Sequence, residues 1–120
     1  MSTHFFGLTD RTYSYSHSVG RSEFSGTGFR NPVDFALGAD DILYVLNRSY
    51  ENRPDGTHIT VCTMTEDYIS EFGSYGEDDG QFIWPTSVVL DKDEKVYVAD
   101  EWLNRITIFS KDGEFLGKWG

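Results

Sequence analysis

Apolar residues along this chain come in short runs of four to six, rich in Val, Ile, Tyr and Phe, divided by clusters of Asp, Asn, Lys and Gly. Runs of that length and composition read as β-strands, and the clusters as turns. In the C-terminal half the pattern predicts strands at 87–90, 96–99, 106–109 and 115–119. Turns at Asp91-Lys92-Asp93-Glu94, Leu103-Asn104 and Lys111-Asp112-Gly113 separate them. The preceding stretch predicts strands at 33–37, 43–46, 58–63 and 68–72. No window of 11 residues carries the spacing of an amphipathic helix, so the expected class is all-β.

The two groups of strands are copies of one unit. At an offset of 53, residues 20–47 lie over 73–100, and seven of 28 positions are identical: Gly20/Gly73, Phe29/Phe82, Pro32/Pro85, Leu37/Leu90, Asp40/Asp93, Tyr44/Tyr97 and Val45/Val98. Beyond residue 57 the offset is 47, which brings Ile59-Thr60 over Ile106-Thr107 and Phe72-Gly73 over Trp119-Gly120. The first copy therefore holds six extra residues within 47–57. Four short strands in a repeat of 47 to 53 residues is the size of a β-propeller blade. A β-sandwich supplies no reason for the repeat.

The stretch 85–120 resembles an NHL repeat nearly position by position. The likeness is carried by Gly80-Gln81-Phe82 followed by Pro85, by Val96-Tyr97-Val98-Ala99-Asp100, by Asn104-Arg105-Ile106, and by Gly113 with Trp119-Gly120. Residues 28–73 match more weakly, with Asn47 in place of the Asp and His58 in place of the Arg. Residues 3–19 are similar to the last two strands of a preceding unit. The chain then divides into a half blade at 1–19, blade one at 20–73 with its six-residue insertion, and blade two at 74–120. The resemblance implies a β-propeller, often six-bladed, that serves as a binding platform. It also implies that Asp100, Asn104 and Arg105 are structural, tying one blade's loop to the next by charge-assisted hydrogen bonds. Pro32 and Pro85 are expected to fix the approach to the innermost strand.

A closed propeller needs about four to eight blades. Two and a half leave apolar faces and strand edges open. The expectation is a piece of a longer propeller, with a six-bladed parent. The alternative is a ring of several chains that self-associate through the open faces.

In a four-stranded meander, the loop before the first strand and the loop between the second and third fall at one end. That end carries Arg30, Arg48, Tyr50, Arg53, Trp84 and Trp102. Long loops on a rigid scaffold concentrate function, and Trp, Tyr and Arg are typical interface anchors, so these six form the candidate ligand face for a protein or small ligand. The competing reading packs Trp84 and Trp102 over the blade ends and leaves the arginines in water.

Charge and rare residues narrow the chemistry. Lys and Arg number 10 against 20 Asp and Glu, a net charge of −10. That balance argues against nucleic acid and against an anionic membrane surface as partners. No apolar run approaches the length of a membrane-spanning helix and no signal peptide is visible, so the expected compartment is the cytoplasm. The single cysteine, Cys62, excludes an internal disulfide, and its place in a strand, over Phe109, marks it as core. His4, His17 and His58 have no metal-ligand spacing, and no cofactor or catalytic residue is assigned. Some NHL-type propellers are zinc lyases with a His after the repeat's Pro. Here Val33 and Thr86 stand there, so a lyase or hydrolase would need catalytic residues from other blades. Asp91-Lys92-Asp93 lacks the rest of a calcium loop, and Glu77-Asp78-Asp79 reads as a solvated turn.

Overall fold

Alternation of side chains along each short run becomes alternation of faces once the runs pair. In a computed structural model, which describes residues 31–49 and 56–120, the strands are β1 (Pro32–Leu37), β2 (Ile42–Asn47), β3 (His58–Thr63), β4 (Tyr68–Phe72), β5 (Ser74–Tyr75), β6 (Gln81–Phe82), β7 (Pro85–Leu90), β8 (Val96–Asp100), β9 (Arg105–Phe109) and β10 (Phe115–Trp119). The half blade at 1–19 lies outside the described residues, as does the start of blade one. β1 to β4 form one antiparallel meander and β7 to β10 a second. The expected strands are all present, within two residues at each end. The pattern did not show the short parallel pair of β5 with β6, where Ser74 and Tyr75 meet Gln81 and Phe82. It also did not show the 3-10 turn at Ala39–Asp41. Two- or three-residue elements have no periodicity to read.

The two meanders repeat in their irregularities. The register of β1 on β2 shifts between Pro32 and Asp34, and that of β7 on β8 between Pro85 and Ser87. Proline cannot donate to a ladder, so it sits at the first position of each strand, where a bulge follows.

Burial shows how the blades stack. In β2 and β3, Tyr44 and Leu46 pair with Val61 and Ile59 and point to one face, while Leu43 pairs with Cys62 on the other. Blade two covers the first of these faces. Tyr44, Leu46, Ile59 and Val61 form a single buried cluster with Val88, Val96, Val98 and Phe109 of blade two. Phe82, from the segment joining the blades, is wholly buried in that cluster. Each such side chain contributes about 1.5–3 kcal/mol when fully withdrawn from water. Phe109 stacks at 4.9 Å from Phe72 and at 5.8 Å from Phe82, so the core crosses between blades through aromatic rings.

By the repeat offset, the blade-one residues of this interface correspond to Tyr97, Ala99, Ile106 and Ile108. Those lie on the opposite side of the blade-two sheet from Val96 and Val98. The sheets are therefore stacked front to back, as the blades of a propeller are, and not front to front as in a sandwich. The innermost strands β1 and β7 lie side by side. There the Asp34 carboxylate accepts the Val88 N–H at 2.9 Å. At the turn end Glu94 Oε1 accepts the Ala39 N–H at 3.1 Å. Gly38 lies so near that a Cβ there would stand 2.6 Å from Glu94 Oε1.

Candidate interaction face

The loops before β7 and between β8 and β9 meet at one end of blade two, and a single carboxylate organises both. Asp100, 3% exposed, ends β8. Its Oδ2 accepts the Ile83 N–H at 2.7 Å, and both oxygens share the Trp84 N–H at 3.3 Å. Its Oδ1 accepts the N–H groups of Trp102 at 3.0 Å and Leu103 at 2.9 Å. A buried carboxylate surrounded by N–H donors makes strong, charge-assisted bonds, and these fix two loop backbones at once. The tryptophans on those loops consequently have rigid main chains while their rings stay accessible: Trp84 is 41% exposed and Trp102 is 72% exposed.

Arg105 holds the connection between the blades. Its guanidinium donates to the carbonyls of Glu77 at 3.0 Å, Asp78 at 2.8 Å and Gln81 at 3.1 Å. Lys118 Nζ pairs with Asp79 Oδ1 of the same segment at 2.6 Å. The acidic run 77–79 is thus a fastened turn whose main-chain oxygens, rather than its carboxylates, meet the arginine. Asn104 lies at the turn before β9. It contributes a backbone conformation, with φ 53 in the left-handed region that Asn tolerates, and this closes the turn into β9.

Arg48 follows β2 and reaches over the gap between blades. Its guanidinium carbon lies 3.9 Å from the centre of the Trp84 ring, and Nη1 donates to the Pro85 carbonyl at 3.3 Å. A cation over an indole face is attractive by about 0.5–1 kcal/mol at an exposed site. Arg48 and Trp84 therefore form one composite surface, neither fully solvated nor fully packed away. Pro85 is buried, and Pro32 is exposed at the start of β1. Arg30, Tyr50 and Arg53 lie outside the described residues.

Several contributors carried no signal in the sequence. Asp34 and Glu94 are the cross-blade ties described above. Ser49 and Thr57 close the neck of the inserted loop, with their hydroxyls 2.7 Å apart and the Ser49 N–H donating to Thr57 Oγ1 at 3.1 Å. Their only advance mark was a pair of hydroxyl residues flanking the insertion. Thr86, in the position that a metal-binding His would take, donates to the Ala99 carbonyl at 3.5 Å.

The opposite end is built of self-contained turns. Asp91 Oδ1 accepts the N–H groups of Asp93 and Lys95, both at 2.9 Å, and Oδ2 accepts the Tyr97 hydroxyl at 2.9 Å. The Lys95 N–H, then the Tyr97 hydroxyl, hold the Asp91 carboxyl below the usual carboxylate range, and the same bond pushes the Tyr97 phenol up. Burial pushes the Cys62 thiol up as well. Cys62 packs with Leu43 and Val45 on the face of blade one turned away from blade two.

No family model matches the chain. NHL repeat-containing protein 3 of Homo sapiens is 29% identical over 127 residues, covering 96% of this chain and 35% of that protein. Protein lin-41 of Caenorhabditis elegans is 35% identical over 77 residues, covering 52% of this chain and 7% of that protein. Protein brain tumor of Drosophila melanogaster is 38% identical over 53 residues, covering 44% of this chain and 5% of that protein. The chain spans at most about a third of the length of these curated relatives.

Proposed function

We propose that this chain, similar to NHL repeat proteins, is an interaction scaffold, two blades of a longer propeller that bind a protein segment through the loop end bearing Arg48, Trp84 and Trp102. The observation that carries this reading is the Arg48 guanidinium stacked 3.9 Å over Trp84 across the blade boundary, beside a Trp102 that is 72% exposed on a loop pinned by Asp100. Rigid main chain under exposed indole and guanidinium is the make-up of an interface hot spot, because little side-chain or loop entropy is lost on binding. The share of the relatives' length that the chain covers supports the longer parent.

The test is a selection of phage-displayed peptides on the chain. Binders are expected to lose at least about tenfold in affinity on Trp102→Ala, with the circular dichroism unchanged. Trp102 is the residue to change because its side chain is exposed, whereas Arg48 also holds the Pro85 carbonyl. Selected peptides that bind Trp102→Ala and Trp84→Ala as tightly as the original chain would remove this end from the proposed site.

A further inference from the structure

The two tryptophans of the loop end start from one point and end in different surroundings. Both N–H groups are held by one oxygen, Asp100 Oδ1. The Arg48 guanidinium then lies over the Trp84 ring and gives an N–H to the Pro85 carbonyl. Trp102 has no such cover. Among the described residues no cation and no second ring lies over it, and it is the most exposed large apolar side chain, at 72%.

The carboxylates around Trp102 are also uncovered. Glu101 is exposed beside it, with its N–H fixed on the Trp84 carbonyl. Arg105, which follows the same turn, holds Glu77 and Asp78 through their carbonyl oxygens, and both residues are exposed. Lys118 pairs with Asp79. Glu77, Asp78 and Glu101 therefore make no ion pair among the described residues.

We infer that the partner of the loop end is a basic segment: an extended, arginine-bearing peptide that lays one guanidinium on Trp102 and turns its N–H groups to the Glu101 carboxylate. The stack of Arg48 on Trp84 is the same chemistry completed within the chain. A guanidinium is flat, so it covers an indole face while its N–H fork meets an acceptor at the edge. Arg48 does not take the carboxylates for itself, because a ring and a carbonyl already engage it. The field of the whole chain has the matching sign, since a net charge of −10 attracts a cationic segment and repels a polyanion. This inference rests on the loop-end reading above and gives the chemistry of its partner.

The test is fluorescence anisotropy of a fluorescein-labelled arginine-glycine repeat peptide titrated with the 120-residue chain. Saturable binding is expected. Trp102→Ala and Glu101→Gln should each weaken it at least about threefold, and added salt should weaken it further. Asp93→Asn removes the same charge from the opposite end and leaves the binding unchanged. A glutamate-glycine repeat peptide is expected not to bind. No saturation at millimolar arginine peptide, equal affinity for Trp102→Ala, a loss on Asp93→Asn as large as that on Glu101→Gln, or equal binding of the glutamate peptide would each overturn the basic partner. The phage-selected peptides separate this inference from the reading beneath it. Peptides that need Trp102 and carry Arg support both. Peptides that need Trp102 and carry no basic residue overturn the basic partner and leave the loop end standing. Peptides indifferent to Trp102 and Trp84 remove both.

Discussion

Blade one and blade two share a backbone and differ in their polar fastenings. The shared features are those that the chain path requires. Asp41 and Glu94 match in the left-handed region, φ 58 and 61, as do Glu66 and Gly113, φ 70 and 94. The Arg48 N–H donates to the Asn31 carbonyl at 3.0 Å, as the Glu101 N–H does to Trp84 at 3.1 Å. The differences gather at the loop end. Asp100 accepts from four backbone N–H groups, whereas Asn47 at the same repeat position points its amide nitrogen at the carbonyls of Val45 and His58 and at Thr60 Oγ1, all at 3.2–3.3 Å. Arg105 grips three carbonyls, whereas its counterpart His58 lies 3.3 Å from Glu71 and 3.1 Å from Thr60 Oγ1. Arg48 replaces Glu101 and so reverses the charge at the lip of the loop. Divergence between copies is thus permitted where side chains finish the loops, because each loop closes with its own donors and acceptors. It is not permitted where the backbone turns or the core interdigitates.

The sharpest way to break this comparison is to exchange the residues. Asn47→Asp replaces an amide donor with a carboxylate oxygen facing two carbonyl oxygens in a fully buried site and is expected to cost about 3 kcal/mol in urea unfolding. Little change would mean that the two positions are interchangeable after all. The reverse exchange, Asp100→Asn, leaves one amide oxygen and no charge for four N–H donors, and is expected to cost about 2 kcal/mol. It should also raise hydrogen exchange at Ile83 and Trp102 ahead of residues in β8.

The smallest effect separates the turn ends. Asp91 stands where blade one has Gly38, and its hydrogen bonds depress its carboxyl. A depressed carboxyl adds stability that is present above its unfolded value and lost as pH falls through the folded one. The original chain should therefore exceed Asp91→Asn in urea midpoint at pH 7, with the gap closing as pH is lowered to about 3. A gap that widens on acidification would contradict this account of the turn.

Much of the fold was legible beforehand. Val88, Val96 and Val98, or Leu43 and Val45, could be recognised as strand residues because neighbours two apart share a face. Pro32 and Pro85 could be placed at strand starts because they lack an N–H. The short β5 and β6 pair could not be read, since its partners are set by the connection that Arg105 holds. The candidate face was legible only as a grouping by loop order. That Arg48 covers Trp84, while Trp102 stays open, depends on how one blade is rotated over the next.

Composition, strand periodicity and the repeat offset were sufficient for the all-β class, the four-strand unit and the equivalence of the copies, because those are local and are stated twice along the chain. Tertiary structure alone decided which polar groups meet. Asp34 reaches the Val88 N–H from 54 residues away, Arg48 reaches Pro85 from 37, and Arg105 reaches its carbonyls from 24 to 28. A residue's neighbours on its own strand follow from the alternation of the backbone, but its neighbours on the next blade follow from where two sheets come to rest against each other, and no local pattern encodes that.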